Sequence, residues 1–199
     1  MMECALALLV MMDVSGSVTE ANWRAQRDGT ANAFRDPAVT RLISQQEGGV
    51  AIATVAWGSR AHTVVQWRII RDEEQAADFA DRLAAVQRPE QGQTDLAGAM
   101  RAAAVSFEMT PCQPWRRVAD ISGDGPANAG DPSAAKAQLV EMGVVVNGLP
   151  IITNAEPQLE AYYRSTVITE GGFLVAAQGW EEFGQAIRRK LTIEVAARE

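Results

Sequence analysis

The feature that most constrains this chain is an unbroken apolar run from Cys4 to Met12 that stops abruptly at Asp13. Side chains on a strand alternate between the two faces of a sheet, so a strand apolar at every position must be covered on both sides. Nine residues are too few for a bilayer, whose hydrocarbon core takes about 20 helical residues. The run resembles a signal-peptide core in length. However, Glu3 stands where positive charge is expected, and Asp13 follows in place of a small-residue cleavage site. The run therefore reads as a buried central strand, and any export signal is expected to be absent or already removed before Met1.

The rest of the chain alternates helix and strand patterns. Thr19, a good N-cap type, opens a helical stretch that ends before Pro37. The Val-, Ile- and Thr-rich segments 49–57 and 63–70 flank a short turn and read as a hairpin. Apolar residues recur at helical spacing in 73–86 (Ala76, Phe79, Leu83, Val86) and in 95–109 (Leu96, Met100, Ala104, Phe107), with Pro89 and Gly92 between them. Segment 117–122 is a strand, 132–142 a helix stopped by Gly143, 144–152 a strand, 157–164 a short helix, and 172–177 a last strand. Trp180, Phe183, Ile187 and Leu191 stripe a final helix. This order predicts an α/β, doubly wound, mostly parallel six-stranded sheet with one antiparallel edge strand and helices on both faces. No repeat or long linker interrupts it, so residues 1–199 are expected to form a single domain.

Charge excludes one class of partner. With 18 basic and 25 acidic residues the net charge is −7, the opposite of the basic stripe a nucleic-acid binder carries. The one basic cluster, Arg188-Arg189-Lys190, falls near a helix end, where cations are favoured. No segment is long and apolar enough to span a membrane. Cys4 and Cys112 permit one disulfide or remain two buried thiols.

In open α/β sheets, ligands bind beyond the carboxyl ends of the strands. Three sets of oxygen donors fall at such junctions: Asp13-Val-Ser15-Gly-Ser17 after the first strand, Gln93-Thr94-Asp95 before the fourth helix, and Ser122-Gly-Asp124-Gly after the fourth strand. Carboxylates and hydroxyls without Cys or His suit a hard cation such as Mg²⁺ (or Mn²⁺ or Ca²⁺), which keeps part of its water shell. Taken alone, Asp13-x-Ser15-x-Ser17 reads equally well as a helix N-cap. Asp95 reads as a helix-start carboxylate, and His62 as an exposed turn residue. The tryptophans read as packing, with Trp57 and Trp115 the two placed where exposure is conceivable.

Asp13-x-Ser15-x-Ser17, Thr94 and Asp124 together resemble the metal-ion-dependent adhesion site (MIDAS) of von Willebrand factor type A (VWA) domains. The element order, early hairpin included, also resembles that fold over the whole chain. The phrases Asp120-Ile-Ser-Gly-Asp-Gly125 and Val146-Asn-Gly-Leu-Pro150 look like a bacterial VWA branch of unknown function, often exported. The resemblance implies direct metal contacts from the Ser15, Ser17 and Thr94 hydroxyls, with Asp13 and Asp124 acting directly or through water. One position is then left for an Asp or Glu of a protein partner. Asp124 is preferred to Asp120 because the site belongs at the strand's end; Asp120 is then a satisfied buried carboxylate or a group supporting the ligands. The VWA arrangement makes the first and fourth strands parallel neighbours, which brings Cys4 and Cys112 together. A disulfide there would imply an oxidising, exported or periplasmic location. A bacterial, metal-dependent adhesion or assembly module, not an enzyme, is the expectation.

The rival reading is a Mg²⁺-dependent phosphatase-like hydrolase using Asp13 as nucleophile. Haloacid-dehalogenase-type phosphatases, which the chain faintly resembles, carry a second Asp where Ser15 stands and a lysine before the late acidic motif. Here the only lysines, Lys136 and Lys190, both follow Asp124. A serine hydrolase lacks the G-x-S-x-G elbow.

Overall fold

A computed structural model describes residues 2–197; Met1, Arg198 and Glu199, the ends of the expected domain range, lie outside the described residues. Its centre is a five-stranded sheet in the order β3-β2-β1-β4-β5. The strands are β1 (Glu3–Asp13), β2 (Val50–Trp57), β3 (Ala61–Ile70), β4 (Gln113–Gly123) and β5 (Val144–Pro150). All neighbours are parallel except the β2–β3 hairpin. The apolar run occupies the middle strand, and its alternation is visible in the two cores. Leu6, Leu8, Val10 and Met12 pack in one cluster and Ala7, Leu9 and Met11 in the other, which Cys4 joins out of step at the start of the strand.

Among the described residues, seven α-helices cover the faces: α1 (Glu20–Phe34), α2 (Pro37–Ser44), α3 (Glu73–Ala84), α4 (Leu96–Glu108), α5 (Ser133–Glu141), α6 (Leu159–Tyr162) and α7 (Phe183–Ala196). The first core takes Trp23 and Phe34 of α1, Phe79 of α3, and Ile187 and Leu191 of α7. The second takes Met100 and Phe107 of α4 and Leu139 of α5.

The expected six strands are five. Segment 172–177 forms no strand ladder with β5, only two isolated parallel bridges, Gly148 to Leu174 and, just past the end of β5, Ile151 to Ala177. Gly171 has a φ of 76° and turns the chain, and Gly172 abuts the Val146 carbonyl so tightly that a Cβ would lie 2.4 Å from it. The segment crosses the sheet edge without settling into a ladder. A second difference is α2. Pro37 does not merely end α1; it occupies the first turn of a new helix whose cap, Asp36, accepts from the Ala38 N–H at 2.9 Å, the position where proline's missing N–H costs nothing.

Cys4 and Cys112 form a disulfide, with Cα atoms 5.9 Å apart, because Cys4 pairs with Pro114 in the β1–β4 register and Cys112 lies just before it. His62 is not a turn residue: it sits in β3 opposite Ala56, partly buried. Trp57 is buried and Trp115 is 49% exposed. Lys190 is not at a helix end but inside α7 and completely buried.

Candidate metal centre

β1 delivers Asp13 to the carboxyl edge of the sheet, and the β1–β4 register ends one residue earlier, at Met12–Ser122. Beyond that point a side chain takes the place of the neighbouring strand. Gln26 of α1 accepts from the Asp13 N–H at 3.2 Å and donates to the Asp13 carbonyl at 2.9 Å. The Ser122 hydroxyl donates to the same Gln26 oxygen at 2.7 Å. Gln26 is wholly buried, so this amide holds the Asp13 backbone in a fixed place.

The Asp13 carboxylate is therefore committed to the site. Its Oδ1 accepts the Ser15 N–H at 2.6 Å, while Oδ2 is buried without a hydrogen-bond partner. Burial pushes its pKa up to about 7 against the bonds from Ser15, and the charge of Asp124 adds to the rise. Burial likewise raises Asp124, opposed by hydrogen bonds from Ser17 and Trp180. The Ser15 and Ser17 hydroxyl oxygens are 3.3 Å apart, and Ser17 Oγ donates to Asp124 Oδ1 at 2.5 Å.

Thr94 comes from a loop docked on the serine loop by the Gly16 N–H, which donates to the Gly92 carbonyl at 2.8 Å. Its backbone is clamped by Asn128, which accepts from the Thr94 N–H at 2.8 Å and donates to the Thr94 carbonyl at 3.1 Å. Arg88 donates to the Val18 carbonyl and, at 3.5 Å, to the Ser15 carbonyl, bracing the serine loop. Gly123 must be glycine: a Cβ would lie 2.8 Å from Tyr163 Oη and 2.9 Å from Asp13 Oδ2.

The structure thus links Asp13, Ser15, Ser17 and Asp124 through hydrogen bonds, and Thr94, Ser17 and Asp124 border one cleft of about 420 Å³. Trp180, Asn22 and Glu156 are among its other lining residues, and no Lys or Arg lines it. Asp95 stays outside the set and caps α4 through the Gly98 N–H at 2.7 Å. Asp120 turns away, to Lys190. The residues that sequence reasoning missed are Gln26, Asn128 and Arg88. Only Gln26 carried a signal, a polar side chain on the apolar stripe of α1.

Two buried carboxylates that repel one another, an unpartnered oxygen and three hydroxyls suit a hard divalent cation. Among the described residues no group of three or more His, Cys, Asp or Glu side chains is arranged to hold a metal ion.

A family model described as "Protein of unknown function (DUF1194)" matches residues 3–199. A search of curated proteins gives no match. Solved structures are similar in fold. Proximal thread matrix protein 1 (PTMP1) from the mussel byssus aligns at 18% identity with a TM-score of 0.71, covering 98% of this chain and 49% of that one. The same mussel protein with a zinc-occupied MIDAS motif aligns at 16% identity and TM-score 0.66, covering 96% and 46%. The vWF domain of the type V pili tip protein Mfa5 from Porphyromonas gingivalis aligns at 10% identity and TM-score 0.65, covering 98% of both chains. The chain spans about half the length of the mussel protein.

Proposed function

This chain belongs to the DUF1194 family of proteins of unknown function, and we propose that it is a metal-dependent VWA module that binds Mg²⁺ or a similar divalent cation (Mn²⁺, Ca²⁺) and captures a carboxylate of a partner protein. The observation that carries this reading is Asp13 Oδ2, buried, unpartnered and near enough to Asp124 to feel its charge, while Asp124 borders, with Ser17 and Thr94, a cleft free of basic side chains. A buried carboxylate oxygen without a partner is costly, and a divalent cation would compensate it.

Ser15, Ser17 and Thr94 would hold the ion through their hydroxyls, with Asp13 and Asp124 binding directly or through water. The bound ion would supply a positive centre that attracts an Asp or Glu side chain. Gln26 and Asn128 would keep Asp13 and Thr94 in place, while Trp180 and Glu156, which line the cleft, would flank the partner's carboxylate. The likeness to pilus-tip and matrix proteins in fold supports adhesion or assembly over catalysis. The disulfide supports an exported, periplasmic or extracellular setting, since such bonds persist in oxidising compartments. Residues 1–199 would act as one domain.

A phosphatase reading gains nothing from the site. Lys136 donates to the Thr166 carbonyl and Lys190 pairs with Asp120 and Glu194, so neither stands beside Asp13. The deciding experiment is thermal unfolding of EDTA-treated protein with Mg²⁺ or Mn²⁺ added back. Metal should raise the midpoint in wild type and leave Asp13→Ala unmoved. A wild-type midpoint indifferent to every divalent cation would sink the proposal. Pull-downs with and without EDTA would then identify the partner.

A further inference from the structure

A second cluster of ionisable groups lies inside the molecule, away from the metal centre. Lys190 of α7 is completely buried, and Asp120 of β4 and Glu194 of α7 are each 1% exposed. The Lys190 Nζ is 2.8 Å from Asp120 Oδ1 and 2.5 Å from Glu194 Oε1. Asn147 of β5 donates to the same Glu194 oxygen at 2.8 Å, and the Phe173 ring lies 4.9 Å from Nζ. Neither Asp120 oxygen makes a hydrogen bond, and Glu194 Oε2 is unpartnered. The amine therefore rests against the Asp120 carboxyl group without donating to it in hydrogen-bond geometry.

As an ion cluster this arrangement is poorly balanced. Two acids and one base leave an uncompensated charge, and taking charges out of water is repaid only when every lone pair and proton finds a partner. Burial together with the Asp120 charge raises the Glu194 pKa to about 7, against the opposing pull of Lys190 and Asn147. A buried lysine held against one carboxyl group, with a second carboxyl group touching its nitrogen, has the parts for acyl transfer: nucleophile, electrophile and proton carrier.

We propose that Lys190 and Asp120 join in an intramolecular amide bond, formed within the folded chain with Glu194 carrying the protons. Transfer of one proton from the Lys190 ammonium to the Asp120 carboxylate leaves a neutral amine and a neutral acid. The Nζ lone pair attacks Asp120 Cγ, the new C–N bond forms, and the C=O electron pair moves onto oxygen. Glu194, ionised at this point, takes a proton from Nζ and delivers it to the hydroxyl on Cγ. The C–O bond breaks and one water leaves. Glu194 ends as it began, and nothing is oxidised or reduced. The fixed geometry replaces a bimolecular encounter, and the product exchanges two buried charges for a neutral amide. Exclusion of bulk water then disfavours hydrolysis. The bond would tie α7 to β4, whose leading end is already tied to β1 through Cys112.

Intact mass spectrometry of the reduced, denatured wild-type chain is the test. The expected mass is the sequence mass less one water, and fragment spectra should join the peptide containing Asp120 to the one containing Lys190. Lys190→Met and Glu194→Gln should each restore the full mass. A wild-type chain of full sequence mass overturns the proposal, whatever the variants do. So does a water loss that survives in Lys190→Met or maps elsewhere, because ring closure at Asp124-Gly125 also releases one water. Metal binding does not enter the measurement.

Discussion

Ser17 and Asp124 stand 107 positions apart in the chain, and the hydroxyl of one donates to the carboxylate of the other at 2.5 Å. The contact joins the loop after β1 to the loop after β4, the two strands that share the centre of the sheet. On the proposed reading, a cation bound here would replace a hydrogen bond that now holds the two loops together. Ser17→Ala should therefore weaken Mn²⁺ binding without unfolding the chain. A loss of about tenfold or more, measured by calorimetry, is expected for a lost ligand, and unchanged affinity would remove Ser17 from the ligand set.

Acidity should act on the metal-free protein in an unusual direction. Burial moves the Asp13 pKa from 3.8 to about 7. Between those values the folded chain keeps a proton that the unfolded chain has released. The associated stability is complete below about pH 4 and is lost as the pH rises through about 7, by at most about 4 kcal/mol. The unfolding midpoint of EDTA-treated protein should fall between about pH 5 and about pH 8, and Asp13→Asn should flatten that fall. The stabilisation from added Mn²⁺ should grow over the same interval, because metal needs the carboxylate. A metal-induced gain larger at the acid end would contradict this assignment.

Gln26→Met keeps the volume of the side chain and removes its hydrogen bonds to Asp13 and Ser122. It leaves buried polar groups unsatisfied, at about 1–3 kcal/mol each. Urea unfolding should show a loss of about 2–4 kcal/mol, given partial relaxation. Metal affinity should fall as well, since Asp13 is no longer held. Loss of stability with intact metal affinity would mean that Gln26 serves the core alone.

Gly123→Ala tests the packing behind the site. The added methyl meets Tyr163 Oη and Asp13 Oδ2, both inside 3 Å. Overpacking of this kind costs about 1–3 kcal/mol, read as a lower denaturant midpoint, and the displaced Asp13 should also reduce the metal-induced shift.

Opening the Cys4–Cys112 disulfide frees a loop with a sequence separation of 108. The loop-entropy model assigns about 4–5 kcal/mol to a closure of that size. The Cys4→Ser/Cys112→Ser double variant should lose stability on that scale. Denatured, unreduced wild type should release no thiol to a colorimetric reagent.

Much of this fold is legible in the chain because local patterns and global architecture agree. A run apolar at every position, from Cys4 to Met12, has few places to go other than the centre of a two-faced sheet. The hairpin and the α3 and α4 stripes follow from periodicities of two and of 3.6. The failures have a common cause. Segment 172–177 has strand composition but glycine geometry at its start, so only scattered bridges form. Pro37 looks like a stop because proline ends helices, yet with Asp36 before it the same residue starts one.

The sequence by itself determined the central buried strand, the hairpin, most of the helices and the oxygen-donor types at the strand ends, since these depend on residue identity and short-range spacing. Only the tertiary structure decided which polar groups meet. It placed Gln26 on the Asp13 backbone where the sheet pairing stops, and set Asn128 against Thr94. It also sank Lys190 between Asp120 and Glu194, although the chain presents it as the last member of a surface-like basic cluster. Such contacts join residues tens of positions apart or turn on which helix face is buried. Their energy comes from desolvation and hydrogen-bond satisfaction inside the packed fold, and neither is encoded in a window of neighbouring residues.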